Sequence, residues 1–438
     1  MGRVTTALLT DHYELTMLQA ALADGTARRR SVFEVFARRL PQGRRYGVVA
    51  GTDRLLDALE EFTFDAATVD WLREADVVDD ATLQWLSGYR FSGDVWGYLE
   101  GEAYFPGSPV LVVEGTFAEA VVLETLVLSV LNHDAAIASA AARMVGAAQG
   151  RPCLEMGSRR THEQAAVAAA RAAHVAGFAA TSNLEAGRRH AVPTTGTSAH
   201  SFTLLHDSEH DAFRAQVDSL GAGTTVLVDT YDVAEAVRTA VEVAGPDLGA
   251  VRIDSGDLPS LARSVRDQLD ALGATSTRIV VTSDLDEHAI AALAAAPVDG
   301  YGVGTALVTG SGAPTSGFVY KLVAREDDDG TMRAVAKRST DKVSVGGRKH
   351  AARRLDPDGR AVAEIVTIAE HARHGPDDRA LLHPLVRAGR RVHHDTIGQA
   401  RERHRAAMDE LPPTATQLSR GEPALETVIV HEERNRHE

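Results

Sequence analysis

Between residues 150 and 310 the chain repeats one rhythm: a short apolar, β-prone run, then a polar or glycine-rich loop, then an alanine-rich stretch with helical spacing. The apolar runs end near Glu155, Thr181, Thr194, Asp229, Asp254, Ser283 and Gly302, and the spacing predicts helices over 163–176, 212–220, 234–244, 258–272 and 287–296. Runs such as Val226-Leu227-Val228 and Ile279-Val280-Val281 show no polar alternation, the pattern of strands covered on both faces in a parallel sheet. About seven such βα units favour closure into a barrel over an open sheet. The polar residues fall at the carboxyl ends of these strands, where barrel enzymes keep their chemistry.

On either side of this region the pattern changes. Residues 1–120 mix helix with β-prone segments near 31–37 and 89–113. Later, 318–324 and 332–337 flank Asp329-Gly330, a hairpin signal. The expected organisation is therefore an N-terminal α+β domain over 1–122, an irregular βα barrel with the active site over 123–315, and a C-terminal segment over 316–438 packing with the N-terminal domain. The charged residues 431–438 are expected to fray.

Composition narrows the class. The longest apolar stretches, 118–131 and 135–148, are broken by Glu119, Glu124 and Arg143 and read as too short to span a bilayer. Asp11, His12 and Glu14 stand where a secretory signal needs an apolar core, so a cytoplasmic protein with no membrane partner is expected. Met1-Gly2 with Thr6 fits a myristoylation pattern, but no polybasic second anchor follows. Cys153 is the only cysteine, which excludes an intrachain disulfide and a thiolate metal cluster. A formal net charge of −15 argues against nucleic-acid binding, while converging arginines can still hold a small anion.

Several strand ends carry residues suited to chemistry. Arg252, Asp254, Ser255, Gly256 and Asp257 close one run, and strand alternation places Arg252 and Asp254 on one face. Carboxylates beside an arginine suit ribose hydroxyls and a magnesium-bound pyrophosphate; the alternatives are that Asp257 caps the following helix and Arg252 makes an internal ion pair. Gly302, Gly304 and Thr305 offer backbone amides and a hydroxyl to a phosphate, or simply form a glycine turn; Leu307 breaks the dinucleotide fingerprint. Arg159-Arg160 after Gly157 suits a planar carboxylate or phosphate, or a solvated turn. His200, amid the small residues of 195–201, is placed to act as a base or nucleophile, against the structural role that most of the 18 histidines must have.

Taken in order, these segments resemble the nicotinate phosphoribosyltransferase family from Thr10-Asp11-His12-Tyr13 to Leu418-Ser419-Arg420-Gly421-Glu422-Pro423. The diagnostic pieces are Gly157-Ser158-Arg159-Arg160, Thr181-Ser182-Asn183, the Gly196 to His200 segment, Arg252-Ile253-Asp254-Ser255-Gly256-Asp257 and Gly302-Val303-Gly304-Thr305. The resemblance implies a type II phosphoribosyltransferase fold, an irregular TIM-like βα barrel with a flanking α+β domain. It also implies condensation of nicotinate with phosphoribosyl pyrophosphate to nicotinate mononucleotide, with Mg2+ and with ATP as co-substrate, in NAD salvage.

On the same ground His200 is the transiently phosphorylated residue and, with Arg252 and Asp254, forms the catalytic set; Asp254 or Asp257 lies on the magnesium side. Arg159 and Arg160 are implied for anionic substrate groups, Gly302, Gly304 and Thr305 for the 5′-phosphate, and Ser182, Asn183, Ser255, Ser283 and Asp284 as further substrate contacts. Tyr13 matches the tyrosine that stacks on the pyridine from a neighbouring subunit, implying a homodimer with shared active sites. Met156 departs from the phenylalanine common at its position, and a thioether contact can replace one ring face. Lys342-Val343-Ser344-Val345-Gly346-Gly347 matches more loosely, with phosphate or ATP contact as its expected use. Nicotinamide and quinolinate are the rival pyridines; the paired arginines favour an acid over an amide, and the length and the His200 segment argue against quinolinate. A catalytically silent barrel that binds a phosphorylated ligand is the alternative outside enzymology.

Overall fold

The computed structural model describes residues 5–41, 43–337, 344–372 and 374–431. Lys342 and Val343 of the loosely matching segment lie outside the described residues, as do Met1 and Gly2 of the myristoylation pattern and residues 432–438.

Two compact units divide the chain: residues 137–314 form one, and residues 1–136 with 315–438 form the other. In the first, six short strands make a parallel sheet: β1 (Cys153–Glu155), β2 (Ala180–Thr181), β3 (Thr225–Leu227), β4 (Ala250–Ile253), β5 (Arg278–Val281) and β6 (Gly300–Val303). Their order is β2-β1-β6-β5-β4-β3, and a parallel bridge from Thr181 to Thr194 adds a seventh position beside β2. The sheet curls into an irregular half-barrel. All seven apolar runs of the sequence therefore become sheet positions. Val226, Leu227, Val251, Ile253, Ile279, Val281, Tyr301 and Val303 are buried, as expected for strands covered on both faces.

The helices between the strands start and stop for local reasons. Ser208 and Asp232 accept hydrogen bonds from the first-turn amides of helices Glu209–Leu220 and Val233–Ala244, satisfying donors that have no partner within the helix. Gly221 and Gly245, with φ of 82° and 79°, end the same two helices in a conformation that a side chain would oppose. Two short helices, Leu184–His190 and His200–Leu205, fall in stretches without apolar periodicity and were not expected.

The second unit holds a seven-stranded antiparallel sheet in which Arg30–Ala37 lies between Phe318–Glu326 and Leu111–Thr116. N- and C-terminal segments thus share one sheet. The hairpin at Asp329-Gly330 joins Phe318–Glu326 to Met332–Ala334, with Gly330 at φ 81°. A four-stranded sheet contains Lys349–Leu355 and Ala361–Ile368. Lys349 is buried and pairs through Nζ with both oxygens of buried Glu34 at 2.7 Å.

One expectation is corrected. The two apolar stretches read as too short for a bilayer lie in a single helical stretch, Phe117–Ala148, of 32 residues, which is long and apolar enough to cross one. About two-thirds of its most apolar window is buried within the protein, the state of a core helix. Glu119 and Glu124 do not break it: Glu119 belongs to a capping box with Thr116, and Glu124 opens the 25-residue part Glu124–Ala148.

Candidate active site

The carboxyl ends of β3, β4 and β5 and the start of helix His200–Leu205 hold a cross-linked polar cluster. Arg252, next to last in β4, is its centre: Nε donates to Thr282 Oγ1 at 3.0 Å, Nη1 to Thr197 Oγ1 at 3.0 Å and to the Ser198 carbonyl at 3.3 Å, and Nη2 to Asp254 Oδ1 at 3.2 Å. Its side chain is only 13% exposed, so these bonds act with little competition from water. The pairing with Asp254 follows from strand alternation.

Asp254 also accepts a short hydrogen bond from the Thr282 hydroxyl. Burial opposes its ionisation, but the Thr282 hydroxyl, Arg252 and His200 together hold the carboxyl below the usual aspartate range. Its amide donates to Asp229 Oδ2 at 2.9 Å, and the Ser255 hydroxyl donates to the same oxygen at 2.7 Å. Asp229 Oδ1 is buried, has no hydrogen-bond partner among the described residues and faces His200 Nε2 at 3.9 Å. His200 is 40% exposed, its Nδ1 lies 3.1 Å from Thr230 Oγ1, and its Nε2 lies 4.0 Å from Asp254 Oδ2.

Around β1 and β2 the site is built differently. Glu155 is buried, and its carboxylate accepts from the Gly157 amide and the Thr181 hydroxyl. Burial pushes its pKa upward, partly offset by those two donors. Asn183 caps helix Leu184–His190 through the Ala186 amide at 2.9 Å and donates to Ser158 Oγ at 3.0 Å. Ser182, Arg159 and Arg160 are exposed, with no hydrogen bond or ion pair to either guanidinium among the described residues.

The remaining predicted residues fall as follows. Gly302 is buried in β6, and a Cβ there would meet Thr282 Cγ2 at 2.4 Å and Met156 Sδ at 2.8 Å, so close packing accounts for that glycine. Gly304 and Thr305 lie at its end, Thr305 exposed and opening the short helix Thr305–Val308. Ser283 and Asp284, both exposed, follow β5; Ser283 has φ 144°, a backbone conformation rarely adopted outside glycine. Asp257 is exposed and accepts from the Ser260 hydroxyl at 2.8 Å, without capping a helix amide. Tyr13 belongs to the other unit, 45% exposed on helix His12–Ala23, its hydroxyl pushed up to about 12 by burial and by Glu124, Glu14 and Asp11.

Sequence reasoning passed over Asp229, Thr230 and Thr282 as site residues. The signal was there, because each follows an apolar strand run as Asp254 does. Among the described residues no three His, Cys, Asp or Glu side chains are grouped to hold a metal ion. Asp229, through its Oδ1, and Asp254 are the carboxylates of this cluster that could hold a hard divalent cation.

Comparison with known proteins follows the same segments. Residues 8–132 match the nicotinate phosphoribosyltransferase (NAPRTase) N-terminal domain, and residues 152–351 the nicotinate phosphoribosyltransferase (NAPRTase) family. The chain is 59% identical over 433 residues to the Mycobacterium tuberculosis nicotinate phosphoribosyltransferase pncB1, covering 96% of this chain and 94% of that one. It is 38% identical over 354 residues to the Bacillus subtilis nicotinate phosphoribosyltransferase, covering 78% and 72%. The crystal structure of human nicotinic acid phosphoribosyltransferase superposes with a TM-score of 0.82 at 25% identity, covering 97% and 98%.

Proposed function

The chain belongs to the nicotinate phosphoribosyltransferase family and acts as such an enzyme in NAD biosynthesis, and within that activity we propose that it couples the transfer to ATP through a phosphate carried by His200. The observation that carries this reading is the cluster of Arg252, Asp254, Asp229 and His200 at the strand ends.

In the transfer, the nicotinate ring nitrogen forms a bond to C1′ of phosphoribosyl pyrophosphate while the C1′–oxygen bond to pyrophosphate breaks. Positive charge develops at the ribose carbon, and Asp254, held ionised, stands ready to stabilise it or to accept a ribose hydroxyl. Arg252, fixed by four hydrogen bonds, presents a guanidinium to the departing anion with little reorganisation. Asp229 and Asp254 would hold Mg2+ through the substrate pyrophosphate, where it neutralises the leaving group's charge. Arg159 and Arg160, without partners among the described residues, take the carboxylate of nicotinate, and Gly304 and Thr305 take the 5′-phosphate.

The surroundings of His200 support the coupling. Thr230 engages Nδ1, which leaves Nε2 as the nucleophile for the terminal phosphoryl group of ATP, with ADP departing. A phosphate there faces Asp229 and Asp254, so its charge bears on the groups that hold the pyrophosphate. In a homodimer, Tyr13 of a second copy would stack on the pyridine and Met156 would offer a thioether contact on the other face.

The test is mononucleotide formation from phosphoribosyl pyrophosphate and Mg2+ with nicotinate, nicotinamide or quinolinate in parallel, each with and without ATP. Product from nicotinate, increased by ATP, is expected. Product from another pyridine overturns the substrate assignment, and no response to ATP overturns the coupling.

A further inference from the structure

Glu155 has no part in the chemistry above, yet it is one of the most buried carboxylates in its unit, 1% exposed. Among the described residues no cation pairs with it. A carboxylate in that position is costly unless its lone pairs are used, and here each oxygen accepts one hydrogen bond, from the Gly157 amide and from the Thr181 hydroxyl. Those two donors open two different loops. Gly157 begins the turn that carries Arg159 and is closed by the Arg160 amide to the Gly157 carbonyl at 2.8 Å. Thr181 begins the loop to Asn183, whose amide returns to Thr181 Oγ1 at 2.9 Å. The Glu155 carbonyl accepts from Ser182 at 2.8 Å, and Asn183 Nδ2 reaches back to Ser158 Oγ at 3.0 Å. Gly157 is itself pressed into place: a Cβ there would meet Val308 Cγ1 at 2.2 Å.

We propose that Glu155 is a positioning residue for pyridine recognition, its carboxylate clamping the Arg159 turn to the Thr181–Asn183 loop so that Arg159 is presented in one fixed place. A hydrophobic residue of similar size would fill the space but leave both donors unpaired. The inference rests on the reading that the Arg159 turn takes the nicotinate carboxylate.

The experiment uses the full chain, its Glu155→Met variant, and the milder pair Thr181→Val and Thr181→Ser. Hydrogen–deuterium exchange of peptides spanning 156–160 and 182–184 is measured beside steady-state kinetics. Glu155→Met and Thr181→Val should speed exchange in both peptides. They should raise the Michaelis constant for nicotinate about tenfold while kcat and the constant for phosphoribosyl pyrophosphate move by less than about threefold. Thr181→Ser, which keeps the hydroxyl, should restore both readouts. Unchanged exchange, or equal loss for both substrates, overturns the clamp. If the unaltered chain uses another pyridine instead of nicotinate, the substrate reading fails, while the exchange comparison still decides whether Glu155 holds the two loops together.

Discussion

The two halves of the candidate site lie on one sheet and present their charged groups in opposite ways. At the ends of β3 to β5, Arg252, Asp254, Asp229 and Thr282 are hydrogen-bonded to one another, with His200 Nε2 facing the two carboxylates at 3.9 and 4.0 Å. At the ends of β1 and β2, the buried part is just as closely bonded through Glu155 and Thr181, but Arg159 and Arg160 are exposed and unpaired among the described residues. A pyrophosphate and an oxocarbenium-like ribose need charges that are already in place, because reorganising them costs free energy in the transition state. A carboxylate ligand can be gripped by guanidinium groups that give up only water. On the proposed reading, the first half stabilises the reaction and the second selects the ligand.

That contrast can be broken most severely at Arg252. Replacing it by alanine should lower kcat/KM about a thousandfold, ~4 kcal/mol, the scale for removing a preorganised charged donor; a loss under tenfold would remove it from the machinery. His200→Ala should abolish ATP coupling while slow transfer persists, measured as ADP released per mononucleotide formed, and ATP hydrolysis at the original rate would refute the phosphohistidine. Arg159→Ala should act on selection alone. A lost charged hydrogen bond of about 2 kcal/mol corresponds to a rise of roughly thirtyfold in the Michaelis constant for nicotinate, with the melting temperature unchanged, and unaltered kinetics would exclude Arg159 from the site.

Smaller effects sharpen the picture. Ser283 occupies a backbone conformation that disfavours side chains, so Ser283→Gly should raise unfolding free energy by about 1 kcal/mol once the greater freedom of glycine in the unfolded chain is counted; chemical denaturation measures it, and a destabilised variant would mean that the side chain is held by contacts worth more than the strain. The Asp254 carboxyl has a folded pKa below its ordinary 3.8. Its stabilising contribution is therefore fully present above that ordinary value and is lost as pH falls through the folded one. Asp254→Asn should flatten the acid side of the stability profile in that window, and identical profiles for the two proteins would deny the pairing with Arg252 and Thr282.

Much of this site was legible in the chain because strand ends are local features. An apolar run followed at once by Arg252–Asp254 or by Gly157–Arg160 states both where the strand stops and which groups stand at its mouth. Asp229 carried the same signal, yet its importance lies in contacts to Asp254 and Ser255, 25 and 26 residues away. At Asp257 the sequence left helix capping open, and the structure closes that alternative: the side chain accepts from the Ser260 hydroxyl and caps no helix amide. Gly302 was conspicuous for its phosphate-like context, while its packing against Thr282 and Met156 depended on neighbours in other segments.

The sequence by itself determined the rhythm of strands and helices, the seven strand ends and the polar residues that stand at them, because hydrophobic period and turn chemistry act over a few positions at a time. Only the tertiary structure decided which of those residues meet, that the apolar stretch 117–148 is largely buried rather than free to meet lipid, and that the terminal segments of the chain share one sheet. Contacts of that kind join residues far apart in the chain, and no local pattern encodes the distance at which a carboxylate, a hydroxyl and a guanidinium come together.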